Sequence, residues 1–285
     1  MVALGPGAPK ISQSSMTNVV AMHEGRKRVG DRARALLASP DGCALFIDID
    51  GTLLGVAPTP DEVCVPAGLV SLLEDVWRGL GGAAAVLTGR RIADADRLFS
   101  PLSFIASGVH GTELRGEPSA PILTLAPPIP ASVVQAMNNI SSLAAGILVE
   151  QKGCGVAVHY RNAPLARQAL ESEVAAIIAA SSYDLVLREG RKVLEAVPRG
   201  YSKGTALLRL AAEPPFRGRR PIMIGDDVGD ESAFQAAEGL GGVGLRVAGE
   251  HFRPEASDFG GVADVRAWLE ALAEALAPHK AAAIG

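Results

Sequence analysis

Four short segments of the sequence carry side chains that could act together on a phosphate group. They are DIDGT at 48–52, TGR at 88–90, the lysine at 203, and GDDVGD at 225–230. Asp48 and Asp50 lie two positions apart and precede a glycine, so a sharp turn can direct both carboxylates into one crevice. The carboxylates around Asp226 suit a hard cation such as Mg²⁺, which prefers a few carboxylates, water and phosphate oxygens.

The other candidate residues would bind the anion itself. The Thr88 hydroxyl, a main-chain N–H near Gly89 and the guanidinium of Arg90 could each donate to a phosphate oxygen. Lys203 would offset the charge of the surrounding carboxylates. Taken alone, the tripeptide is a weak signal, and a lysine at this place is typical of the first turn of an ordinary helix. The hypothesis of a phosphate site therefore depends on a fold that brings the four segments together.

The elements around these segments predict such a fold. Apolar runs that end in polar residues occur at 44–50, 83–90, 103–108 and 219–227. Such runs are typical of buried parallel strands. They alternate with helices predicted at 67–78 and 231–238, which indicates an α/β fold with a Rossmann-like parallel-sheet core. Ligands of such sheets bind at the carboxyl ends of the strands, where these polar residues lie.

The middle of the chain has a different pattern. After a proline-rich linker, helices predicted at 131–145 and 164–181 are each followed by two short strands. This order predicts an antiparallel sheet with helices on one face, in the form of an inserted α+β cap domain. The expected bounds are 1–40 for an N-terminal extension, 41–117 and 198–285 for a discontinuous core, and 118–197 for the cap.

Together these motifs resemble phosphatases of the haloacid dehalogenase superfamily and, more specifically, the trehalose-6-phosphate phosphatases. The DxDGT, threonine, lysine and GDD segments carry the broader resemblance. The closer resemblance spans about residues 45–268 and rests on a set of further motifs. They are GVHG at 108–111, ExK at 150–152, HYR at 159–161, Glu195, PRGYSKG at 198–204 and GDDxxDE at 225–231.

The resemblance implies Mg²⁺-dependent hydrolysis of trehalose 6-phosphate to trehalose and phosphate, the final step of trehalose biosynthesis. Asp48 would be the nucleophile and form an aspartyl-phosphate. Asp50 would protonate the leaving sugar oxygen and then activate the water that opens the intermediate. The catalytic set would be completed by Thr88 and Lys203, which hold the phosphate.

The resemblance also implies a metal site and a sugar site. Mg²⁺ would be held by the carboxylates of Asp48 and Asp226 and the main-chain carbonyl of Asp50. Asp227 and Asp230 would stabilise these ligands without binding the metal, or would serve as alternative ligands. The expected substrate-binding residues are Gly89, Arg90, His110, Glu150, Lys152 and Glu195.

Composition and sequence pattern argue against a nucleic-acid-binding protein, a membrane protein and a dinucleotide-binding protein. The formal net charge of −4 at pH 7 gives no basic surplus for a nucleic-acid partner. The longest clean apolar run, at 174–180, is far shorter than the ~18 residues of a membrane span. Three separated cysteines and no secretory apolar stretch predict a cytoplasmic protein. A GxGxxG match at 239–244 follows a helix rather than a strand, so it does not predict a dinucleotide site.

Other functions remain open at this stage. A phosphatase for sucrose phosphate or a mannosyl-phosphoglycerate would use the same core chemistry. A signalling receiver also combines aspartates, threonine and lysine, but it would lack an inserted cap and would keep a stable phosphoenzyme. A catalytically silent sugar-phosphate binder would keep the cleft without turnover. Nothing in the sequence resembles a fused trehalose-6-phosphate synthase, so a synthase paired with this protein would be a separate chain.

Overall fold

Two β-sheets form the framework of the protein. The computed structural model of the chain describes residues 35–57 and 62–277. Most of the predicted extension at 1–40 therefore lies outside the described residues. Within them the chain forms a seven-stranded sheet and a four-stranded sheet. No helix in the described ranges has the length and apolar character needed to cross a membrane.

Strands and helices follow each other in the predicted order. The strands are β1 (Cys43–Ile47), β2 (Ala84–Leu87), β3 (Ile105–Gly108), β4 (Glu113–Arg115), β5 (Leu123–Thr124), β6 (Leu148–Gln151), β7 (Val156–His159), β8 (Leu185–Gly190), β9 (Val193–Pro198), β10 (Arg220–Gly225) and β11 (Val243–Arg246). The α-helices described over their full length are α1 (Leu69–Gly79), α2 (Ile92–Phe99), α3 (Ala131–Asn139), α4 (Arg167–Ala180), α5 (Lys203–Ala211), α6 (Glu231–Gly239) and α7 (Val262–Leu276).

The larger sheet has the order β11-β10-β1-β2-β3-β4-β5. The strands from β11 to β3 pair in parallel, which confirms the predicted Rossmann-like sheet. At one edge β4 and β5 add in the antiparallel direction, a feature that the sequence analysis did not predict. The connection from β3 to β4 is too short for a crossover, and a hairpin is the pairing that such a connection allows.

The central strand β1 shows how the sequence builds this sheet. All five of its residues are buried, as expected for a parallel strand covered on both faces. The ring of Phe46 packs against Phe216, with the ring centroids 5.1 Å apart. The strand ends where the sequence changes from apolar residues to acids. It therefore delivers Asp48 and Asp50 to the carboxyl edge of the sheet.

The smaller sheet has the order β6-β7-β9-β8 and is antiparallel throughout. Helices α3 and α4 bury apolar residues against it, among them Met137 and Leu170, which meet Val158 and Leu194 of the strands. This cluster is distinct from the core around the larger sheet. The predicted helix–hairpin–helix–hairpin order is therefore confirmed, and each sheet has a hydrophobic core of its own.

The first predicted bound of the cap differs from the point where the chain leaves the larger sheet. The sequence places that bound at 118, whereas β5 at Leu123–Thr124 still pairs with β4 of the larger sheet. Because β5 is only two residues long and exposed, it has no apolar alternation that could identify it as a strand. The last strand of the smaller sheet ends at Pro198.

Helix α5 begins at a well-defined turn that fixes the position of Lys203. The Ser202 hydroxyl accepts from the Thr205 N–H at 3.0 Å, and the Thr205 hydroxyl accepts from the Ser202 N–H at 2.9 Å. This reciprocal capping pair holds the first turn. A Cβ on Gly204 would lie 2.3 Å from the carbonyl oxygen of Ser232, so α5 packs directly on α6. The close approach holds Lys203 at the carboxyl edge of the larger sheet.

Candidate active site

A cleft of about 800 Å³ lies between the carboxyl edge of the larger sheet and the smaller sheet. Most of the predicted site residues line it. From the core they are Asp48, Asp50, Gly89, Arg90, His110, Lys203, Asp226 and Asp227, and from the smaller sheet they are Glu150, Lys152 and Glu195. Thr88 and Asp230 are buried beside the cleft rather than lining it. The fold therefore brings together the dispersed segments that the sequence analysis selected.

The ammonium group of Lys203 lies between two buried carboxylates. Its Nζ atom is 2.7 Å from Asp48 Oδ1 and 2.6 Å from Asp230 Oδ1. Burial raises the pKa of Asp48 well above its usual range, although the charge of Lys203 opposes that rise. Burial would lower the pKa of Lys203, but Asp230 and Asp48 outweigh it and raise that pKa above the usual value. Lys203 is therefore a permanent cation beside Asp48.

Asp226 is held from both sides. Its Oδ1 accepts from the Thr52 hydroxyl at 3.1 Å, and its Oδ2 accepts from the Arg191 guanidinium at 2.5 Å. Burial raises the pKa of Asp226 to about 7 against the opposing charge of Arg191. Gly51 has a φ of +87°, and a Cβ there would lie 2.2 Å from Asp226 Oδ2. The absence of a side chain at Gly51 thus leaves the room that the Asp226 carboxylate occupies.

Asp230 organises the loop that follows β10. Its Oδ2 accepts from the main-chain N–H groups of Asp226 and Asp227, each at 3.1 Å. Its Oδ1 accepts from the ammonium group of Lys203 at 2.6 Å. Asp227 accepts from the N–H of Val228 at 2.8 Å and so caps the short turn after it. These bonds fix the conformation of the loop that carries Asp226.

The carboxylates in this region fit a divalent cation. One oxygen atom from each of Asp48, Asp226 and Asp230 lies within 4.8 Å of the others. Oxygen donors of this kind are the ligands that Mg²⁺ takes in proteins. The side chain of Asp50 is not part of this group, because it is paired with Arg90. The predicted part of Asp50 in metal binding therefore rests on its main-chain carbonyl.

Asp50 and Arg90 form a two-bond ion pair at the mouth of the cleft. Arg90 Nε donates to Asp50 Oδ2 at 2.6 Å, and Nη2 donates to Oδ1 at 2.7 Å. Burial would lower the pKa of Arg90, but Asp50 more than compensates and raises it. The main-chain N–H of Arg90 donates to the Thr88 hydroxyl at 3.1 Å. Thr88 thus shapes the loop that presents Arg90 to Asp50.

Residues of the smaller sheet complete the opposite wall. Lys152 donates to Glu195 Oε1 at 2.7 Å and to the carbonyl of Gly89 at 3.1 Å. His110 Nε2 contacts the other carboxylate oxygen of Glu195. Burial would raise the pKa of Glu195, but His110 and Lys152 outweigh it and hold that pKa well below its usual range. Two side chains of the smaller sheet therefore bond directly to the core across the cleft.

Glu150 has its own partner on the neighbouring strand. Its Oε2 lies 2.8 Å from His159 Nε2 and 3.7 Å from Lys152 Nζ. Burial would raise the pKa of Glu150, but His159 and Lys152 lower it below its usual value. Glu150 is therefore an ionised carboxylate that faces the cleft at neutral pH.

His110 lies on an unusual stretch of backbone. Val109 and His110 both have positive φ, at 45° and 52°. Non-glycine residues pay a conformational cost in this region, and such strain tends to cluster at functional sites. The Nδ1 atom of His110 is buried and has no hydrogen-bond partner among the described residues. The imidazole therefore keeps one buried polar atom without a partner among the described residues.

Thr52 and Arg191 both bond to Asp226 but were not among the residues predicted from the sequence. Thr52 belongs to the DxDGT motif and could have been chosen from its position there. Arg191 lies in the turn between β8 and β9, where a charged residue is normally a solvated one. No pattern in the sequence links that turn to a loop that begins 35 positions later.

The fold and the side chains in the cleft define the class of protein. The protein has a parallel sheet with paired aspartates after its central strand, a lysine and a carboxylate loop at the same edge, and a second sheet over them. This is the phosphatase arrangement that the resemblance to the haloacid dehalogenase superfamily predicts.

Comparison with known proteins identifies the family. The trehalose-phosphatase family model matches residues 46–252. A probable trehalose-phosphate phosphatase of Sinorhizobium fredii is 40% identical over 218 residues, covering 76% of this chain and 82% of the relative. The trehalose-6-phosphate phosphatase of Escherichia coli is 36% identical over 234 residues, covering 82% and 87%. The chain belongs to the trehalose-phosphatase family and is a phosphoric monoester hydrolase.

A solved structure supports the fold independently. The C-terminal domain of the Candida albicans trehalose-6-phosphate phosphatase superposes with a TM-score of 0.71 at 18% sequence identity. The match covers 87% of this chain and 97% of that domain. At this identity the likeness concerns the fold alone.

Proposed function

We propose that the protein hydrolyses trehalose 6-phosphate to trehalose and inorganic phosphate with Mg²⁺ as cofactor. The observation that carries this proposal is the composition of the cleft. One wall holds Asp48, Lys203 and Asp226, which suit a phosphoryl group. The other holds Lys152 and Glu195, which suit sugar hydroxyls. A substrate that joins a phosphate to a polyhydroxyl group matches both walls.

The first chemical step forms a covalent bond to Asp48. A carboxylate oxygen of Asp48 attacks phosphorus, and the bond from phosphorus to the sugar oxygen breaks. Asp50 carries a proton in this step, so one of its oxygens has left the two-bond pair with Arg90. It gives that proton to the departing sugar oxygen, and trehalose leaves as a neutral alcohol. Lys203 stabilises the negative charge on the phosphoryl oxygens. The main chain of the loop at 88–90, whose shape is set by the bond from the Arg90 N–H to the Thr88 hydroxyl, holds that group in line.

The second step returns Asp48 to its starting form. Asp50, now ionised, takes a proton from a water molecule that attacks phosphorus. The bond between phosphorus and Asp48 then breaks, and inorganic phosphate leaves. Mg²⁺ bound by Asp48, Asp226 and the Asp50 carbonyl would neutralise phosphate charge and orient the phosphoryl group.

The smaller sheet supplies recognition of the sugar. We infer that residues 118–197 act as a cap domain and that Glu150, Lys152 and Glu195 bond the glucose hydroxyls. His110 contributes from the core side through the contact of its Nε2 atom with Glu195. Because Lys152 and Glu195 bond to each other and to the core, a sugar must replace some of these contacts. Recognition of the sugar and closure of the cap are therefore linked.

The biological setting follows from the same chemistry. A trehalose-6-phosphate synthase would make the substrate. We place both activities in the cytoplasm, and the three cysteines, all of which are unpaired, agree with a reducing compartment.

A panel of phosphate esters tests this function. Phosphate release is measured with malachite green for trehalose 6-phosphate, sucrose 6-phosphate, a mannosyl-phosphoglycerate, glucose 6-phosphate and 4-nitrophenyl phosphate. We expect kcat/KM for trehalose 6-phosphate to exceed every other ester by about 100-fold or more, because buried polar groups reject sugars that leave them unpaired. Equal rates on many sugar phosphates would contradict the proposed substrate and leave a general sugar phosphatase.

A further inference from the structure

The turn between β8 and β9 reaches out of the smaller sheet and contacts the metal-site loop of the core. This turn, residues 190–192, is called the hairpin tip below. Its main-chain N–H at Arg191 donates to Asp227 Oδ2 at 2.9 Å. The Arg191 guanidinium donates to Asp226 Oδ2 at 2.5 Å. The hairpin tip is therefore bonded to two successive carboxylates, one of which is expected to bind the metal.

The core is shaped to receive this arginine. A Cβ on Gly249, in the loop after β11, would lie 2.5 Å from the Arg191 guanidinium. The Arg191 side chain is only 16% exposed, although it lies in a turn between two strands. The long side chain of Arg191 fits here because Gly249 has no side chain and leaves room for the guanidinium. The contact of Arg191 with the core is therefore a largely buried one and not a solvated ion pair on the surface.

A second arginine holds the hairpin tip in place. Arg161, which follows β7, donates to the carbonyl of Arg191 at 3.4 Å and lies 3.6 Å from Glu250. Glu250 is the residue after the glycine against which Arg191 packs. Arg161 and Arg191 therefore both contact the core loop at 249–250. The bond from Arg161 to the Arg191 carbonyl helps to orient Arg191.

The position of Arg191 affects how Asp226 can bind a cation. Asp226 Oδ1 already accepts from Thr52, and Oδ2 accepts from Arg191, so both oxygens carry a donor. A divalent cation at this carboxylate must displace one donor or share an oxygen with it. Sharing with Arg191 places two positive charges within a few ångströms of each other in a buried site, where their repulsion is poorly screened.

We propose that Arg191 is a positioning residue through which docking of the hairpin tip and binding of the divalent metal oppose each other. The guanidinium and the metal compete for Asp226 Oδ2. Because such coupling is reciprocal, the metal weakens the bond between hairpin tip and core by the same factor by which the docked tip weakens metal binding. The inference rests on the metal site of the proposed function but not on its substrate.

This competition affects the order in which the metal and the substrate bind. Metal loading releases Arg191 from Asp226 and loosens the smaller sheet at the side of the cleft nearest the phosphate site. A sugar phosphate then enters a cleft whose metal site is filled and whose wall is less tightly held. Arg191 thus favours an order in which the metal binds before the substrate.

Mn²⁺ affinity measures the competition directly. The full-length protein is titrated with Mn²⁺, and the free ion is followed by electron paramagnetic resonance without substrate. Arg191→Met removes the guanidinium, and Arg191→Lys keeps a cation at the same place. Lys192→Met is the matched control, because it removes one positive charge from the same hairpin tip, where Lys192 is exposed.

We expect Arg191→Met to bind Mn²⁺ roughly fivefold or more tightly than the wild type. Arg191→Lys should restore affinity towards the wild-type value, and Lys192→Met should change it by less than about twofold, since its charge is screened by solvent. Equal affinity in Arg191→Met and Lys192→Met, or weaker binding in Arg191→Met, would overturn the proposal. Hydrolysis of the sugar phosphate by the wild type is measured separately, so failure of the substrate assignment does not affect this result.

Hydrogen exchange of the hairpin tip provides a readout that a purely structural role of Arg191 would not move. The N–H of Arg191 is bonded to Asp227 and should exchange slowly. We expect saturating Mn²⁺ to speed exchange in the peptide that covers the tip of the wild-type protein. In Arg191→Met the exchange should be fast at the outset and should not respond to the metal. An unchanged or slower exchange in the wild type on metal addition would contradict the competition.

Discussion

The Nζ atom of Lys203 lies 2.7 Å from the Oδ1 atom of Asp48, although 155 positions separate the two residues along the chain. Both side chains are buried, and Asp230 holds the ammonium group from its other side. Burial raises the pKa of Asp48, which would weaken it as a nucleophile at neutral pH, and the charge of Lys203 opposes that effect. The pair thus combines the expected nucleophile with the cation that helps to keep it ionised.

Asp48→Asn should abolish phosphate release and leave the fold intact. The amide has the size of the carboxylate but cannot attack phosphorus, and we expect kcat to fall by at least about 10³-fold. Lys203 keeps its bond to Asp230, so the buried cation is not left unpaired. Phosphate release on trehalose 6-phosphate and circular dichroism of both proteins check this. The exposed Asp41→Asn serves as the control, and substantial turnover by Asp48→Asn would exclude Asp48 as the nucleophile.

Glu195→Gln should affect the sugar phosphate far more than a small ester. Glu195 lies in the cap wall, where it bonds Lys152 and contacts His110, and it does not reach the carboxylates that face the phosphoryl group. We expect kcat/KM for trehalose 6-phosphate to fall by about 100-fold and that for 4-nitrophenyl phosphate by less than threefold. Glu173→Gln on the exposed side of α4 is the matched control. An equal loss on both esters would remove Glu195 from sugar recognition.

The same substitution should reveal a stability contribution that depends on pH. Lys152 and His110 hold the pKa of Glu195 below its usual value, and Arg188 faces it from β8, so the ionised form is favoured in the folded state. A carboxyl group with a lowered pKa stabilises the fold above its unfolded pKa and loses that effect as pH falls towards the folded one. We expect Glu195→Gln to lower the free energy of unfolding by about 3 kcal/mol at pH 7.

Urea unfolding of both proteins at several pH values measures this contribution. The difference between wild type and Glu195→Gln should stay constant from pH 7 to about 5 and shrink as the pH falls below about 4.5, the usual pKa of the group. A difference that grows on acidification would mean that the pKa of Glu195 is raised in the folded protein.

Gly51→Ala should disturb the metal site without replacing any of the expected ligand residues. The new Cβ would lie 2.2 Å from Asp226 Oδ2, and the residue would keep a φ of +87° that alanine adopts only at a cost. We expect the free energy of unfolding to fall by at least about 1 kcal/mol and Mn²⁺ affinity to fall by about tenfold or more. Gly55→Ala is the control, since a Cβ there meets no atom within 4 Å. Unchanged Mn²⁺ affinity would mean that Asp226 does not bind the ion.

The positions that carry the chemistry could be predicted from the sequence because they follow apolar strands. Asp48 and Asp226 come directly after β1 and β10, and two parallel neighbouring strands must end at the same edge. The same reasoning could not find Arg191, since its partners depend on how the smaller sheet is placed over the larger one. It also missed β5, which is too short and too exposed for periodicity to show.

The sequence predicts which residues lie at the site better than it predicts which groups they contact. Lys152 and Glu195 were selected for sugar binding, yet each also contacts the core, through Gly89 and His110 respectively. Alternation along a strand indicates which side chains share a face. It contains no information about which surface that face meets, because that depends on tertiary packing between elements distant in the sequence.

Arg90→Lys should slow the reaction in a way that depends on the leaving group. Arg90 holds both oxygens of Asp50, and a lysine ammonium cannot form two parallel bonds to a carboxylate. To carry a proton, Asp50 gives up one of these bonds and is oriented by the other, and a lysine would orient it less well. Proton transfer to a sugar oxygen, which leaves poorly as an anion, then becomes less efficient. Nitrophenolate leaves without such help. We therefore expect kcat on trehalose 6-phosphate to fall by about tenfold and kcat on 4-nitrophenyl phosphate by less than twofold. Arg91→Lys, at the next and more exposed position, should change neither rate. If Arg90→Lys slowed both esters equally, Arg90 would act on the phosphate they share and not through Asp50.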